Sequence, residues 1–177
     1  MTQPESGQAG GSYRPLAFEL STARLSLRLR ERHDAAWNLE LLAEHEGGGP
    51  RPTLAQVEQS LVDQNLRARQ TGIGFLTIRR QAEGDGIGYC GLLIGRASFD
   101  EPELAYELLR RAHGHGYATE AASAVLQAAF ATGRRRIWST VRPWNAPSLR
   151  VLDKLGFRRD HLETDELGEI IYLVRDA

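Results

Sequence analysis

Leu108–Glu120 reads LLRRAHGHGYATE, and the rest of the chain is best understood outward from it. Apolar residues run into Arg-x-x-Gly-x-Gly, at Arg111, Gly114 and Gly116. The following run, YATEAASAVLQAAFA, is Ala-rich with strong helix propensity and is closed by Gly133 in C-cap position. A strand therefore enters a tight loop, and the loop opens a helix. Glycine has no Cβ, so its backbone can turn sharply and come close to a ligand. The first N–H groups of the helix lack intrahelical partners and carry the positive end of its dipole. Together these make a cradle for phosphate oxygens.

Two nucleotide motifs can be tested against this loop, and both fail. A P-loop needs Lys-Ser/Thr after its second glycine, where Tyr117-Ala118 stands. A dinucleotide fingerprint needs a third glycine, where Thr119 stands. An isolated G-x-G is also what a simple helix-capping turn looks like, so the surroundings must choose.

Working upstream, ELAYELL (Glu103–Leu109) reads as a strand past a turn at Asp100–Pro102. FLTIR (Phe75–Arg79) and IGYCGLLI (Ile87–Ile94) form a hairpin about the turn EGDG, Glu83–Gly86. RLSLRLR (Arg24–Arg30) alternates as a half-buried strand does. Asp34 opens a helix with Ala36, Leu39 and Ala43 at helical spacing, stopped by GGGP at Gly47–Pro50. A second helix begins after Thr53, with Leu54, Val57, Leu61 and Leu66 as its expected buried stripe. Downstream come a strand, RIWSTV (Arg136–Val141), a short helix, APSLRVLDKL (Ala146–Leu155), and strands at Gly156–Glu163 and Glu169–Arg175. The order β-α-α-β-β-β-α-β-α-β-β predicts a single α/β (α+β) domain, a mixed sheet covered by helices. Its expected span is residues 20–177, with residues 1–19 a flexible tail rich in Gly, Gln, Ser and Pro.

Composition agrees with that class. The 177 residues are 41% apolar and 25% charged, with a net charge of -1, a balance that suggests neither a nucleic-acid nor a membrane surface. The single cysteine, Cys90, cannot form an internal disulfide and reads as a packed residue; no Cys/His spacing suggests zinc, so no metal is expected. No apolar run approaches the ~20 residues of a membrane span, and the N-terminus lacks the marks of a secretory signal. A reduced, cytoplasmic setting is the expectation. Arg134–Arg136 reads as a solvated turn, and Trp37, Trp138 and Trp144 as core or pocket walls, Trp144 beside the acceptor.

About 30 residues past the glycine loop lies VRPWNAPSLRVLDKLGF, Val141–Phe157. Taken with ARLSLRLR, YCGLLIG and GHGYATEA in that order, it makes the chain resemble the GNAT superfamily of acetyl-CoA-dependent N-acetyltransferases. Within that superfamily it looks most like the branch of ribosomal-protein N-terminal (alanine) acetyltransferases. The resemblance implies acetyl-CoA as cosubstrate, in a V-shaped opening where the Glu103–Leu109 strand parts from Arg136–Val141. Backbone near Glu107, Leu108 and Leu109 would pair with the pantetheine arm. The pyrophosphate would rest on N–H groups of the segment from Arg111 through Gly114, His115, Gly116 and Tyr117 to Ala118. Asn145 would hydrogen-bond the pantetheine, and His113 and His115 would meet phosphate or solvent.

Acyl transfer to an amine needs a neutral nitrogen, donors for the oxyanion and help for the leaving thiolate. The resemblance points to Glu103 as base, with Glu107 on the same side under simple alternation as the alternative; either is equally readable as a solvated or ion-paired carboxylate. Many relatives use a helix tyrosine to protonate sulfur. None stands in this short helix, so Ser148 is the candidate, unless it only caps the helix. The expected partner is a primary amine, on a protein N-terminus or a small molecule, with direct transfer in a ternary complex. The rival reading is a non-catalytic acyl-CoA-binding sensor or partner-binding module on the same fold. The family also admits a homodimer.

Overall fold

The alternating apolar segments assemble into one sheet in the computed structural model, which describes residues 13–45 and 50–177. Its strands, in chain order, are β1 (Glu19–Ser21), β2 (Leu25–Leu29), β3 (Phe75–Arg80), β4 (Gly86–Leu93), β5 (Glu103–Leu108), β6 (Arg136–Val141), β7 (Arg158–Asp165) and β8 (Gly168–Asp176). Their spatial order is β1-β2-β3-β4-β5-β6-β8-β7. All neighbours are antiparallel except β5 and β6. A parallel pair needs a long crossover, and α3 (Tyr117–Ala131) supplies it. The other helices are α1 (Ala35–Ala43), α2 (Leu54–Thr71) and α4 (Ala146–Lys154). This is the mixed α/β sheet that the order of elements predicts. The short edge strand β1 is additional.

Local chemistry accounts for these elements. In β2, Leu25, Leu27 and Leu29 are buried while Ser26 and Arg28 are not, the period-two pattern of a strand with one core face. The β3–β4 hairpin turns through Gly84 at φ +73°, and Arg80 and Asp85 pair across it at 2.8 Å. Thr53 and Gln56 form a reciprocal capping box at the start of α2, and Gly72 ends the helix in the left-handed region at φ +75°.

Both faces of the sheet are covered. Trp37 and Leu41 of α1 pack with Tyr89 and Leu109. Ala121, Ala122, Val125 and Ala129 of α3 join the main core with Leu92, Leu104 and Ile137. The small alanines let α3 lie close to the strands.

Several expectations need correction. The buried stripe of α2 is Val57, Leu61 and Ala68. Leu66 faces outward at 57% exposure, because it lies about half a turn round the helix from positions 57, 61 and 68; Leu54 is on their side but, as the first residue of the helix, is exposed as well. In α1 the buried positions are Ala35, Trp37, Asn38 and Leu41, not Ala36 or Ala43; the Trp37 ring, anchored by its Nε1–H to Asp34 at 2.9 Å, sets that face. Most of the GGGP stop lies outside the described residues. Within the expected flexible tail, Leu16 and Phe18 pack into the core, while Arg14, Pro15, Ala17 and Glu19 are exposed. Leu16 is in the core, its N–H donating to Gly72 O at 2.8 Å. Arg134, read as part of a solvated turn, is buried, with its guanidinium 4.5 Å from the Tyr13 ring centre and 4.9 Å from that of Phe99. Residues 1–12 of that tail lie outside the described residues.

Candidate active site

The site begins where two neighbouring strands separate. Between β5 and β6 the register is the single pair Glu103 and Trp138. Two further ties hold this apex: the Trp138 N–H donates to Pro102 O at 2.9 Å, and the Ser139 hydroxyl donates to Leu104 O at 3.0 Å. Past Leu104 each strand keeps only its outer partner. β5 stays paired with β4 to Leu108, and β6 stays paired with β8 to Val141. The result is a wedge opening toward the glycine loop.

Alternation along β5 decides which backbone groups face that wedge. The Leu109 N–H donates to Ile87 O on the β4 side at 2.9 Å. By period two, residues 105 and 107 also pair toward β4, while 104, 106 and 108 turn toward the wedge. Leu104 O, which accepts from Ser139, obeys this rule. The expectation for Glu107 and Leu109 is therefore corrected: the backbone groups that a ligand arm could meet belong to Tyr106 and Leu108. The Leu108 carbonyl accepts from the His113 ring Nε2–H at 2.8 Å, so His113 points back at the strand.

The loop after β5 makes one 3-10 turn at Arg110–Ala112 and then reaches α3. Gly114 and Gly116 both sit at φ +79°, in the left-handed region where only glycine is at ease. A Cβ built on Gly114 would meet nothing within 4 Å, and one on Gly116 would meet only Arg24 Nη2 at 3.6 Å. Gly116 is the N-cap of α3, so the helix N–H groups open onto this free space. The Arg111 side chain does not face it. It is held by Asp85 at 2.6 Å and Glu40 at 3.2 Å, leaving its main chain as its contribution to the loop.

Arg24, an ordinary strand residue by its sequence pattern, fastens the loop. Its guanidinium bonds Glu120 at 2.6 Å, donates to the His115 carbonyl at 3.0 Å and lies 4.6 Å from the centre of the Tyr117 ring. The His115 ring stacks on Tyr117 from 5.5 Å. Burial alone would raise the Glu120 carboxyl, but hydrogen bonds from Thr22 and Arg24 outweigh it and hold the group below its ordinary value. Arg24 and Glu120 are 96 residues apart, and no local pattern links them.

At the other side of the wedge, Asn145 caps α4, its Oδ1 accepting the Ser148 N–H at 3.2 Å, with proline in the first turn. Capping thus falls to Asn145 and not to the Ser148 hydroxyl. That hydroxyl meets the Tyr106 phenol at 3.0 Å, and the phenol also donates to Ser148 O at 3.2 Å. Burial pushes the Tyr106 phenol up to about 12. The short helix carries no tyrosine; one comes instead from β5. Alternation in ELAYELL, which puts Tyr106 on the face opposite Glu103 and Glu107, was the available signal.

Glu103 is only 5% exposed. One carboxylate oxygen accepts the Arg96 N–H and the other accepts from the Thr140 hydroxyl at 2.9 Å. Glu107 lies four residues on, ~13 Å along an extended strand. Its carboxylate contacts the His45 ring and accepts from the Tyr89 hydroxyl at 3.0 Å. The two candidate bases are thus well separated, and only Glu103 is at the apex. Cys90 is fully buried, and burial drives its thiol far above the ordinary range. Trp37 is a core wall, while Trp144 is 79% exposed.

Among the described residues no group of three or more His, Cys, Asp or Glu could hold a metal ion, and no helix is long and apolar enough to cross a membrane.

Comparison with known proteins gives this geometry a family. An uncharacterized N-acetyltransferase, p20, from Bacillus licheniformis is 26% identical over 152 residues, covering 82% of this chain and 85% of its own length. The crystal structure of an acetyltransferase from Agrobacterium tumefaciens is 28% identical with a TM-score of 0.74, covering 90% of this chain and 94% of that one. RimJ of Mycobacterium smegmatis, solved in complex with CoA-disulfide, shares the fold at 23% identity and a TM-score of 0.76, covering 94% of this chain and 86% of its own. The acetyltransferase (GNAT) domain family matches residues 24–158, and the chain belongs to that family as an N-acetyltransferase.

Proposed function

We propose that the chain transfers an acetyl group from acetyl-CoA directly to a primary amine, both substrates bound at once across the β5–β6 wedge. The observation that carries this is the pairing of a parted strand pair with an open glycine cradle on a helix N-terminus. The cradle fits a diphosphate: the space beside Gly114 is open, the guanidinium of Arg24 is the one side chain near Gly116, the donors are main-chain N–H groups, and the dipole of α3 favours an anion there. The wedge-facing backbone at Tyr106 and Leu108 suits an amide-bearing arm, which pairs as a neighbouring strand would.

Chemistry at the apex follows from what borders it. The attacking amine must be neutral. An α-amino group, with a reference pKa of ~8, meets that need far more readily than a lysine at ~10.4. Glu103 keeps spare lone pairs on both oxygens after accepting from Arg96 and Thr140, so it can take the amine proton through a water. Its two hydrogen bonds hold it in place at the apex. Holding both substrates in register supplies much of the rate.

The amine is a protein N-terminus or a small molecule. The low demand that an α-amine makes on the base favours the former. The test is thiol release from acetyl-CoA across a panel of N-terminal peptides, polyamines, amino acids and aminoglycosides, with mass detection of the product. Turnover with at least one amine is expected. Tight CoA binding by calorimetry with no turnover on any would instead establish the binding-module reading.

A further inference from the structure

The hydroxyl pair facing the wedge from opposite sides carries a proposal that rests on the transfer reaction above. A phenol has one proton, and both of the Tyr106 contacts are oxygens of Ser148. Two arrangements keep the two hydroxyls hydrogen-bonded to each other. In one, Tyr106 donates to Ser148 O while the Ser148 Oγ–H donates back to the phenol oxygen, closing the loop. In the other, Tyr106 donates to Ser148 Oγ and frees the Ser148 proton for a third group. They interconvert by turning two O–H bonds, with every heavy atom in place.

We propose that Tyr106 is a positioning residue that holds the Ser148 hydroxyl as the hydrogen-bond donor to the sulfur leaving the acetyl group. When the amine nitrogen bonds to the carbonyl carbon and the C–S bond breaks, negative charge gathers on sulfur. The Ser148 O–H then turns from the phenol to the thiolate, and the Tyr106 O–H turns to Ser148 Oγ. The serine proton stays on serine: an alkoxide is too basic to be left behind by a thiolate whose reference pKa is ~8.5. The amine nitrogen gives its proton to the base at the apex, and the thiolate acquires its proton from solvent after release. Atoms and charge therefore balance without a proton leaving either hydroxyl. The Tyr106 phenol, pushed up to about 12 by burial, stays protonated throughout.

The geometry favours this role over a packing one. Tyr106 is only partly buried against the core, its hydroxyl meets no partner but Ser148 among the described residues, and it joins two elements that flank the opening. The removal of one oriented donor to a developing anion costs roughly 10²–10³ in rate where the donor acts directly; a residue acting through that donor should cost less.

The experiment is a double-mutant cycle on the active enzyme, with the best amine of the panel. Tyr106→Phe is expected to lower kcat about 10-fold, and Ser148→Ala about 100-fold. The double variant should match Ser148→Ala within twofold, since Tyr106 has nothing left to hold. Acetyl-CoA KM and CoA affinity should stay within about twofold, and the pH profile of kcat should keep its shape in Tyr106→Phe. Should that variant fail to fold, 3-fluorotyrosine at position 106 keeps the hydroxyl; a positioning role predicts kcat within about twofold of wild type, and a new basic limb in its profile would mark proton transfer by the phenol and overturn the proposal. Full kcat in Tyr106→Phe, or losses that multiply in the double variant, would overturn it as well. If the wild type binds CoA yet transfers to no amine, the proposed function falls and takes this reading with it. An active wild type with an indifferent Tyr106→Phe removes this reading alone.

Discussion

Gly114→Glu tests the cradle, and Gly84→Glu is its matched control. Both glycines lie in the left-handed region, at φ +79° and +73°, and a Cβ on either meets nothing within 4 Å. Each substitution therefore incurs the same backbone penalty of ~1–2 kcal/mol and no steric one. For a chain of this size that is a Tm lower by ~2–8 °C. The two differ only in location: Gly84 turns the β3–β4 hairpin, and Gly114 opens onto the start of α3. A carboxylate ~5 Å from a phosphate charge costs ~1–3 kcal/mol at effective dielectrics between those of water and a protein surface. Two charges on a diphosphate make that ~2–6 kcal/mol, at least a ~30-fold loss of CoA affinity. Calorimetric titration with CoA, read beside thermal melts, separates the effects. Equal melts with a large affinity loss only in Gly114→Glu are expected. CoA binding within threefold of wild type in Gly114→Glu, or a parallel loss in Gly84→Glu, would refute the cradle.

Three further outcomes follow from named contacts. Glu103→Gln should lower kcat by about 10²-fold with lysine-like amines and by less with α-amines, measured as the ratio of rates across the panel; an equal effect on both would remove it as the base. Arg24→Gln should raise the acetyl-CoA KM several-fold while lowering stability by no more than ~1 kcal/mol, because the Arg24–Glu120 pair is half exposed on the arginine side; steady-state kinetics and melts check this. The hydrogen bond from Arg80, reinforced by Arg111, lowers the Asp85 carboxyl to about 2. A depressed carboxyl stabilises the fold above its unfolded value, ~3.9, and the contribution fades as pH falls through about 2. Discounted for solvent screening, it amounts to roughly 1 kcal/mol, so the gap between urea melts of wild type and Asp85→Asn should be smaller at pH 2.5 than at pH 5.

What could be read in the chain was what is local. The Gly114–Gly116 loop, the Ala-rich helix behind it and the EGDG hairpin each draw their geometry from residues within one or two turns of each other. So does Asn145, whose cap is completed by Ser148 three residues on. The parting of β5 from β6 was reachable through family likeness alone, because neither strand's own residues state which partner it keeps. Features set by register or by long separation stayed hidden. The wedge-facing role of Tyr106 and Leu108 over Glu107 and Leu109 depends on how β5 lies against β4. The Arg24–Glu120 and His45–Glu107 contacts close loops of 96 and 62 residues. In α2 apolar spacing finds Val57 and Leu61 but also takes in Leu54 and Leu66, which are apolar yet exposed.

The clasp of Arg134 between Tyr13 and Phe99 has a practical bearing on how the polypeptide is handled. Composition suggests trimming everything ahead of residue 20 as dispensable. Such a shortened form would strip one aromatic lid from a buried guanidinium and vacate the Leu16 seat in the interior, so solubility or melting defects seen in it would report the missing strap and say nothing about catalysis.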